Sequence, residues 1–107
     1  MQTISREELR SSLDRREPLV LLEALPEKYY RAGHLPGALQ LDYERTREQA
    51  AQLAPDPNVP VVVYCASETC RNSHTAAAIL RQLGYQSVRV YSGGKADWSE
   101  AGLPLEA

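Results

Sequence analysis

The sequence predicts a single α/β domain with a mainly parallel sheet. Short apolar runs rich in β-branched residues alternate along the chain with helical segments, the pattern of a parallel sheet covered by helices. The run "PVVVY" at residues 60–64 is apolar throughout, as expected for a strand buried on both faces. With 107 residues, of which 43% are hydrophobic, the chain can bury one modest core. We therefore expect residues 1–107 to form one domain.

The first third of the chain is predicted to contain a helix between two extended segments. Residues 2–4 suit a short edge strand. The sequence "SREE" at residues 5–8 is a capping box, in which a serine and a glutamate satisfy the first amides of a helix. Leu9 and Leu13 then lie on one face of that helix. The apolar run "PLVLLEA" at residues 18–24 predicts a buried strand.

The middle of the chain is predicted to add two helices and a short strand. A helix is expected over "LPEKYYRA", whose proline suits a first helical turn. The segment "GHLPGALQL" indicates a turn followed by a strand. Residues 43–53, "YERTREQAAQL", predict a charged surface helix, and the prolines of residues 54–60 mark the loop that follows.

The last third begins with the strand at residues 60–64. The alanine-rich segment 72–84 predicts a helix that stops at Gly84, a suitable C-terminal cap. Alternation in "QSVRVY" at residues 86–91 predicts a strand. The segment "GGKADWSEAG" indicates a turn and a final helix, on which Trp98 is expected to pack into the core.

Charge and composition argue against several classes of function. The net charge is −2 and basic residues form no block, which disfavours binding to nucleic acid or to an anionic membrane surface. No apolar run approaches the roughly 20 residues of a membrane span, and the polar N-terminus does not resemble a secretory signal. We therefore expect a cytoplasmic protein. Two cysteines and two histidines lack the spacing of a structural zinc site, so no metal is expected.

Both cysteines lie in the polar loop that follows residues 60–64. Cys65 is placed at the carboxyl end of a strand, where open α/β sheets bind ligands. The amides and dipole of the helix that starts near Asn72 would favour an anion there, so we expect the pKa of Cys65 to be lowered. The anion could be a thiolate, a persulfide or a bound oxyanion. Arg71 offers a planar fork of donors to an oxyanion. Further hydroxyl donors are Ser67, Thr69 and Ser73.

Each of these residues also has an ordinary structural interpretation. A cysteine at a strand end is commonly a small buried hydrophobe, but the strand-loop-helix order and Arg71 favour a reactive Cys65. For Cys70, a simple loop position is the stronger interpretation, and a resolving or redox role is the alternative. His34 and His74 are interpreted as surface or structural histidines.

Three segments together resemble the rhodanese domain. "VVVYC" followed by a loop and "AAAILRQLGY", and then "VRVYSGGKADWSEAGLP", are similar to its C-terminal half. "EKYYRAGHLPGALQL" resembles its N-terminal motif. The resemblance implies a five-stranded, mainly parallel sheet with helices on both faces. By position, Cys65 matches the family's catalytic cysteine. The loop that wraps the transferred sulfur corresponds to Ala66, Ser67, Glu68, Thr69, Cys70 and Arg71.

The resemblance also implies the activity of a thiosulfate sulfurtransferase. A Cys65 thiolate would take the outer sulfur of a donor such as thiosulfate, form a persulfide, and pass the sulfur to a thiol or cyanide acceptor. The expected partners are these small molecules and a sulfur-relay protein, and no cofactor or metal is required. In a variant of this scheme, Cys70 attacks the persulfide and releases hydrosulfide, leaving a Cys65–Cys70 disulfide.

The sequence departs from the rhodanese pattern in three places. Five residues separate Cys65 from Arg71 and none is glycine, whereas four residues are usual in the family. This longer loop resembles that of cell-cycle dual-specificity phosphatases and arsenate reductases, and it is the C-x5-R pattern of cysteine phosphatases. The acidic Glu68 would oppose an anionic substrate if it pointed inward. The family often has Asp-x-Arg at the end of the second strand, but the matching segment here is "LEAL", with Glu23 and no nearby arginine, which puts the usual support from that loop in doubt.

Two alternative functions therefore stay open beside sulfur transfer. The longer loop would suit an oxyanion enzyme, either a phosphatase or an arsenate reductase. The acidic loop would also suit a persulfide carrier or regulatory module that turns over small donors poorly. Tyr64, where cysteine phosphatases commonly have histidine, favours the sulfurtransferase interpretation.

Overall fold

The computed structural model describes residues 2–107 and has a parallel sheet flanked by helices. The sheet has four strands in the order β2-β1-β3-β4, and all three pairings are parallel. The strands are β1 (Val20–Glu23), β2 (Leu39–Gln40), β3 (Val61–Tyr64) and β4 (Val88–Tyr91). The helices are α1 (Arg6–Asp14), α2 (Glu27–Ala32), α3 (Thr46–Leu53), α4 (Asn72–Gln82) and α5 (Gly94–Glu100). No helix among residues 2–107 is long and apolar enough to cross a membrane.

The expectation of a fifth strand is wrong for the described residues, 2–107. Residues 2–4 do lie along the outer edge of β4, where Ile4 N donates to Val90 O (3.1 Å) and Val90 N donates to Gln2 O (3.0 Å). The pairing stops at one parallel bridge, between Thr3 and Val90. Its length is limited because Ser5 already caps α1, which turns the chain away from the sheet. The sheet therefore has four strands and a single bridge at its edge.

The helix caps follow the sequence closely, with two differences. The predicted capping box is present, because Ser5 Oγ accepts from Glu8 N and Glu8 Oε1 accepts from Ser5 N, both at 3.1 Å. Pro26 is the N-cap of α2 and not a residue of its first turn. The single helix expected at residues 43–53 is divided into a 3₁₀ turn, Tyr43–Arg45, and α3. The division occurs because Arg45 leaves helical geometry, with φ −117° and ψ 27°.

The core lies on both faces of the sheet, as alternation along buried strands requires. On one face, Leu22 and Val63 pack with residues of α3 and α4, namely Ala50, Ala76, Ala77 and Leu80. On the other face, Leu21 and Val62 pack with Leu9 of α1 and with Trp98 of α5. Helices therefore cover both faces, and Trp98, only 3% exposed, is a core residue as predicted. This packing fixes the carboxyl ends of β1 and β3, where the site lies.

Candidate active site

Cys65 lies directly after β3, at the carboxyl edge of the sheet, and is 1% exposed. The neighbouring strand β1 ends beside it, since Glu23 is in register with Tyr64 and Ala24 N donates to Tyr64 O (2.8 Å). The start of α4 is tied to the same edge, because Asn72 Nδ2 donates to Ala24 O (3.2 Å). Two strand ends and one helix start therefore meet around the thiol position.

Residues 66–71 form a compact loop between β3 and α4. Cys70 N donates to Ser67 O (3.1 Å), which closes a turn, and the hydroxyls of Ser67 and Thr69 lie 3.0 Å apart. Glu68 is exposed, so its carboxylate is solvated. Arg71 is also exposed and is the N-cap residue of α4. The turn returns Cys70 toward Cys65 and leaves both charged side chains of the loop at the surface.

The N-terminal end of α5 holds the beginning of this loop. Lys95 N donates to Cys65 O (3.0 Å) and Ala96 N donates to Ala66 O (2.9 Å). Gly94 makes this approach feasible, because a Cβ at its position would lie 2.5 Å from Cys65 O. Its φ of +67° also favours glycine. The Gly-Gly turn before α5 therefore fixes the backbone on which Cys65 is carried.

A buried ion pair lies beneath the loop. Glu23 is fully buried, and Lys95 Nζ lies 3.1 Å from its Oε1. Tyr64 donates its hydroxyl to Glu23 Oε1 (2.7 Å) and accepts from Leu35 N (3.0 Å). Burial, and then the hydrogen bond to Glu23, raises the pKa of Tyr64, which keeps the phenol protonated. Lys95 Nζ also donates to Tyr29 O (2.9 Å), so the buried charges are paired and hydrogen-bonded.

The two cysteines are joined in a Cys65–Cys70 disulfide, with their Cα atoms 6.3 Å apart. This separation is within the usual range for a disulfide. Cys65 is buried, whereas Cys70 is partly exposed. The loop geometry therefore allows direct chemistry between the two sulfur atoms.

The loop faces solvent through two open depressions. One, of about 580 Å³, is lined by Glu68, Thr69, Arg71 and His74. The other, of about 340 Å³, lies between the loop and α5 and includes Glu68 and Thr69 among its lining residues. The first depression is therefore lined by one basic and one acidic side chain, and both are exposed. His34 has a structural role, since its ring stacks on Tyr30 at a centroid distance of 3.9 Å.

Sequence reasoning did not identify Lys95 and Gly94 as parts of the site. A signal for Lys95 was present, because a glutamate at the end of a buried strand requires a cationic partner. The sequence does not show which of its cations fills that role, since Glu23 and Lys95 are separated by 72 positions. Among residues 2–107, no three His, Cys, Asp or Glu side chains are grouped as a metal site would need.

The chain is similar in sequence to a described domain family and to curated proteins of two kinds, a transcriptional regulator and a sulfurtransferase. Residues 5–101 match the family described as Rhodanese-like domain. The chain is 33% identical over 105 residues to the HTH-type transcriptional regulator Rv0324 of Mycobacterium tuberculosis, covering 96% of this chain and 44% of that protein. It is 35% identical over 88 residues to a thiosulfate sulfurtransferase of Corynebacterium glutamicum, covering 71% of this chain and 29% of that protein. The chain thus spans less than half the length of these two curated relatives.

Solved structures agree with the sequence relatives. A thiosulfate sulfurtransferase from Pseudomonas aeruginosa superposes with a TM-score of 0.88 and 29% identity, over 99% of this chain and 20% of that one. A rhodanese from E. coli, solved with anions, superposes with a TM-score of 0.69 and 28% identity, over 82% of this chain and 96% of that one. With the family match over residues 5–101, these similarities show that the chain belongs to the rhodanese-like domain family.

Proposed function

We propose that this chain is a sulfurtransferase that moves a sulfane sulfur from a donor such as thiosulfate to a thiol or cyanide acceptor. The observation that carries the proposal is the position of Cys65. It follows the central strand β3 of a rhodanese-like chain, and the amides of Lys95 and Ala96 hold the carbonyls of Cys65 and Ala66. These contacts support the proposal, because they hold the backbone of Cys65 at the edge where open α/β sheets bind ligands.

In the proposed first step, the Cys65 thiolate attacks the outer sulfur of thiosulfate. A bond forms between Cys65 Sγ and the outer sulfur, the sulfur–sulfur bond of thiosulfate breaks, and its electron pair leaves with sulfite. The start of α4 favours the anionic states of the thiol and the persulfide. Arg71 would orient the donor's oxyanion from the rim of the loop.

In the second step, an acceptor thiolate or cyanide takes the outer sulfur of the persulfide, and the Cys65 thiolate is restored. The two half-reactions are separate, so ping-pong kinetics are expected. In this proposal Cys65 is the nucleophile, the sulfur donor and acceptor are small molecules, and a sulfur-relay protein is a further acceptor. A cytoplasmic location stays a prediction.

A second candidate is a persulfide carrier or regulatory module. It is favoured by the similarity to a transcriptional regulator, which extends over 96% of this chain. The exposed acid Glu68 at the loop would also slow reaction with small anionic donors. Such a module would form the Cys65 persulfide but turn over thiosulfate slowly.

The test is to mix the reduced protein with thiosulfate, measure the sulfite released and record the intact mass. Wild-type protein should release sulfite and pass, at early times, through a persulfide that adds one sulfur atom, about 32 Da, and Cys65→Ser protein should do neither. Sulfite release with slow turnover to cyanide would favour the carrier. No sulfite release, together with hydrolysis of an aryl phosphate or reduction of arsenate, would replace the proposal with an oxyanion enzyme.

A further inference from the structure

We propose that Cys70 is the resolving thiol of the reaction. In this scheme it converts the Cys65 persulfide into the Cys65–Cys70 disulfide and releases hydrosulfide, and the oxidised site is then restored by an external dithiol. The inference rests on the proposed function, because it needs the Cys65 persulfide as its starting point. It adds a second catalytic residue and names the class of electron donor.

The loop brings Cys70 to Cys65 by its own backbone contacts. The hydrogen bond from Cys70 N to Ser67 O turns the chain back, and the Cα atoms of the two cysteines are 6.3 Å apart. The contacts from α5 to the carbonyls of Cys65 and Ala66 are present together with the disulfide. The disulfide is therefore compatible with the backbone contacts that hold Cys65.

The proposed step balances in atoms and electrons. The Cys70 thiolate attacks Cys65 Sγ, which is the inner sulfur of the persulfide. A bond forms between the two cysteine sulfurs, the bond from Cys65 Sγ to the outer sulfur breaks, and its electron pair leaves with the outer sulfur. The proton of the Cys70 thiol ends on that sulfur, which departs as hydrosulfide. The sulfane sulfur is reduced to sulfide, and the two thiols are oxidised to the disulfide.

The exposure of the two cysteines determines which sulfur of the disulfide an external thiolate would attack. Cys65 is 1% exposed, whereas Cys70 is partly exposed, so an external thiolate reaches Cys70 first. Attack there makes Cys65 the leaving group, and a thiol stabilised as its anion leaves faster. The start of α4 would favour that anion. Reduction would thus return Cys65 directly to the thiolate state, and the second thiol of the dithiol would free Cys70.

The experiment uses pre-reduced protein, freed of reductant, and one equivalent of thiosulfate without oxygen or any acceptor. Wild-type protein should release sulfite and then an equal amount of hydrosulfide, and its final mass should be lower by two hydrogen atoms. The hydrosulfide step should be first order and independent of protein concentration, because it is intramolecular. Cys70→Ser protein should release sulfite, keep the added sulfur, and form hydrosulfide at least about tenfold more slowly.

The two proposals fail differently in this experiment. If wild-type protein releases sulfite but keeps the added sulfur, Cys70 does not resolve the persulfide, and the sulfurtransferase proposal stands. If wild-type protein releases no sulfite, the proposed function fails and the resolving step fails with it. Cys65→Ser protein is the matched control and should release neither product. Because the wild-type mass separates these outcomes, the test holds even if Cys70→Ser protein does not fold.

Discussion

Replacing Gly94 by alanine tests whether the turn before α5 fixes the Cys65 loop. Gly94 has φ +67°, a conformation that costs an ordinary residue about 1–2 kcal/mol. The new Cβ would also lie 2.5 Å from Cys65 O and 3.0 Å from Ser67 N, so backbone atoms must move. Overpacking of this kind costs about 1–3 kcal/mol. Together, these terms predict that the free energy of unfolding falls by about 2–5 kcal/mol.

Gly102→Ala is the matched control for this substitution. Gly102 has φ +76°, but no heavy atom lies within 4 Å of where its Cβ would be, so only the backbone cost of about 1–2 kcal/mol applies. Urea unfolding measures the stability of both variants, and sulfite release from thiosulfate measures the site. A displaced Cys65 should slow sulfite release by about 10- to 100-fold in folded Gly94→Ala protein. If the two variants matched in stability and rate, the proposed support of the loop would be refuted.

Three further predictions concern the buried pair, a tyrosine and a helix cap. Lys95→Met should lower the free energy of unfolding by about 3–5 kcal/mol, because the buried Glu23 would lose its cation. Denaturant unfolding would detect this loss. Adding Glu23→Gln to the Lys95→Met protein should restore part of the lost stability. Burial and the hydrogen bond to Asp97 raise the pKa of Tyr91. Since the unfolded chain ionises this phenol near pH 10 and the folded chain does not, stability should fall as pH rises above about 10, and less steeply in Tyr91→Phe protein. Ser5→Ala should cost about 1 kcal/mol in thermal unfolding by removing the cap of α1, and an unchanged midpoint would contradict that role.

The elements of the fold could be predicted because their signals are local. The β-branched run of β3 and the capping box at Ser5 and Glu8 each determine structure within a few residues. The number of strands could not be predicted, because the pairing of Thr3 with Val90 extends only until Ser5 begins to cap α1. The break at Arg45 was missed because helix propensity alone does not locate it.

The site could be predicted only in the part whose signals are local in sequence. Strand β3, Cys65 and the start of α4 are close in sequence, so their order identifies the loop. The supports of that loop come from distant segments. Gly94 and Lys95 contact Cys65 across about 30 positions, and Glu23 lies still further away. Such contacts depend on the sheet order, which no short window of sequence contains.

The length of the loop is better explained by the second cysteine than by a phosphate site. A phosphate site uses backbone amides that point at the anion, and the amide of Cys70 is not available for this because it is bonded to Ser67 O. The turn formed by the longer loop instead places Cys70 where its sulfur reaches Cys65. We therefore expect the longer loop to favour chemistry between two sulfur atoms, so sulfite release should exceed aryl phosphate hydrolysis in the same protein.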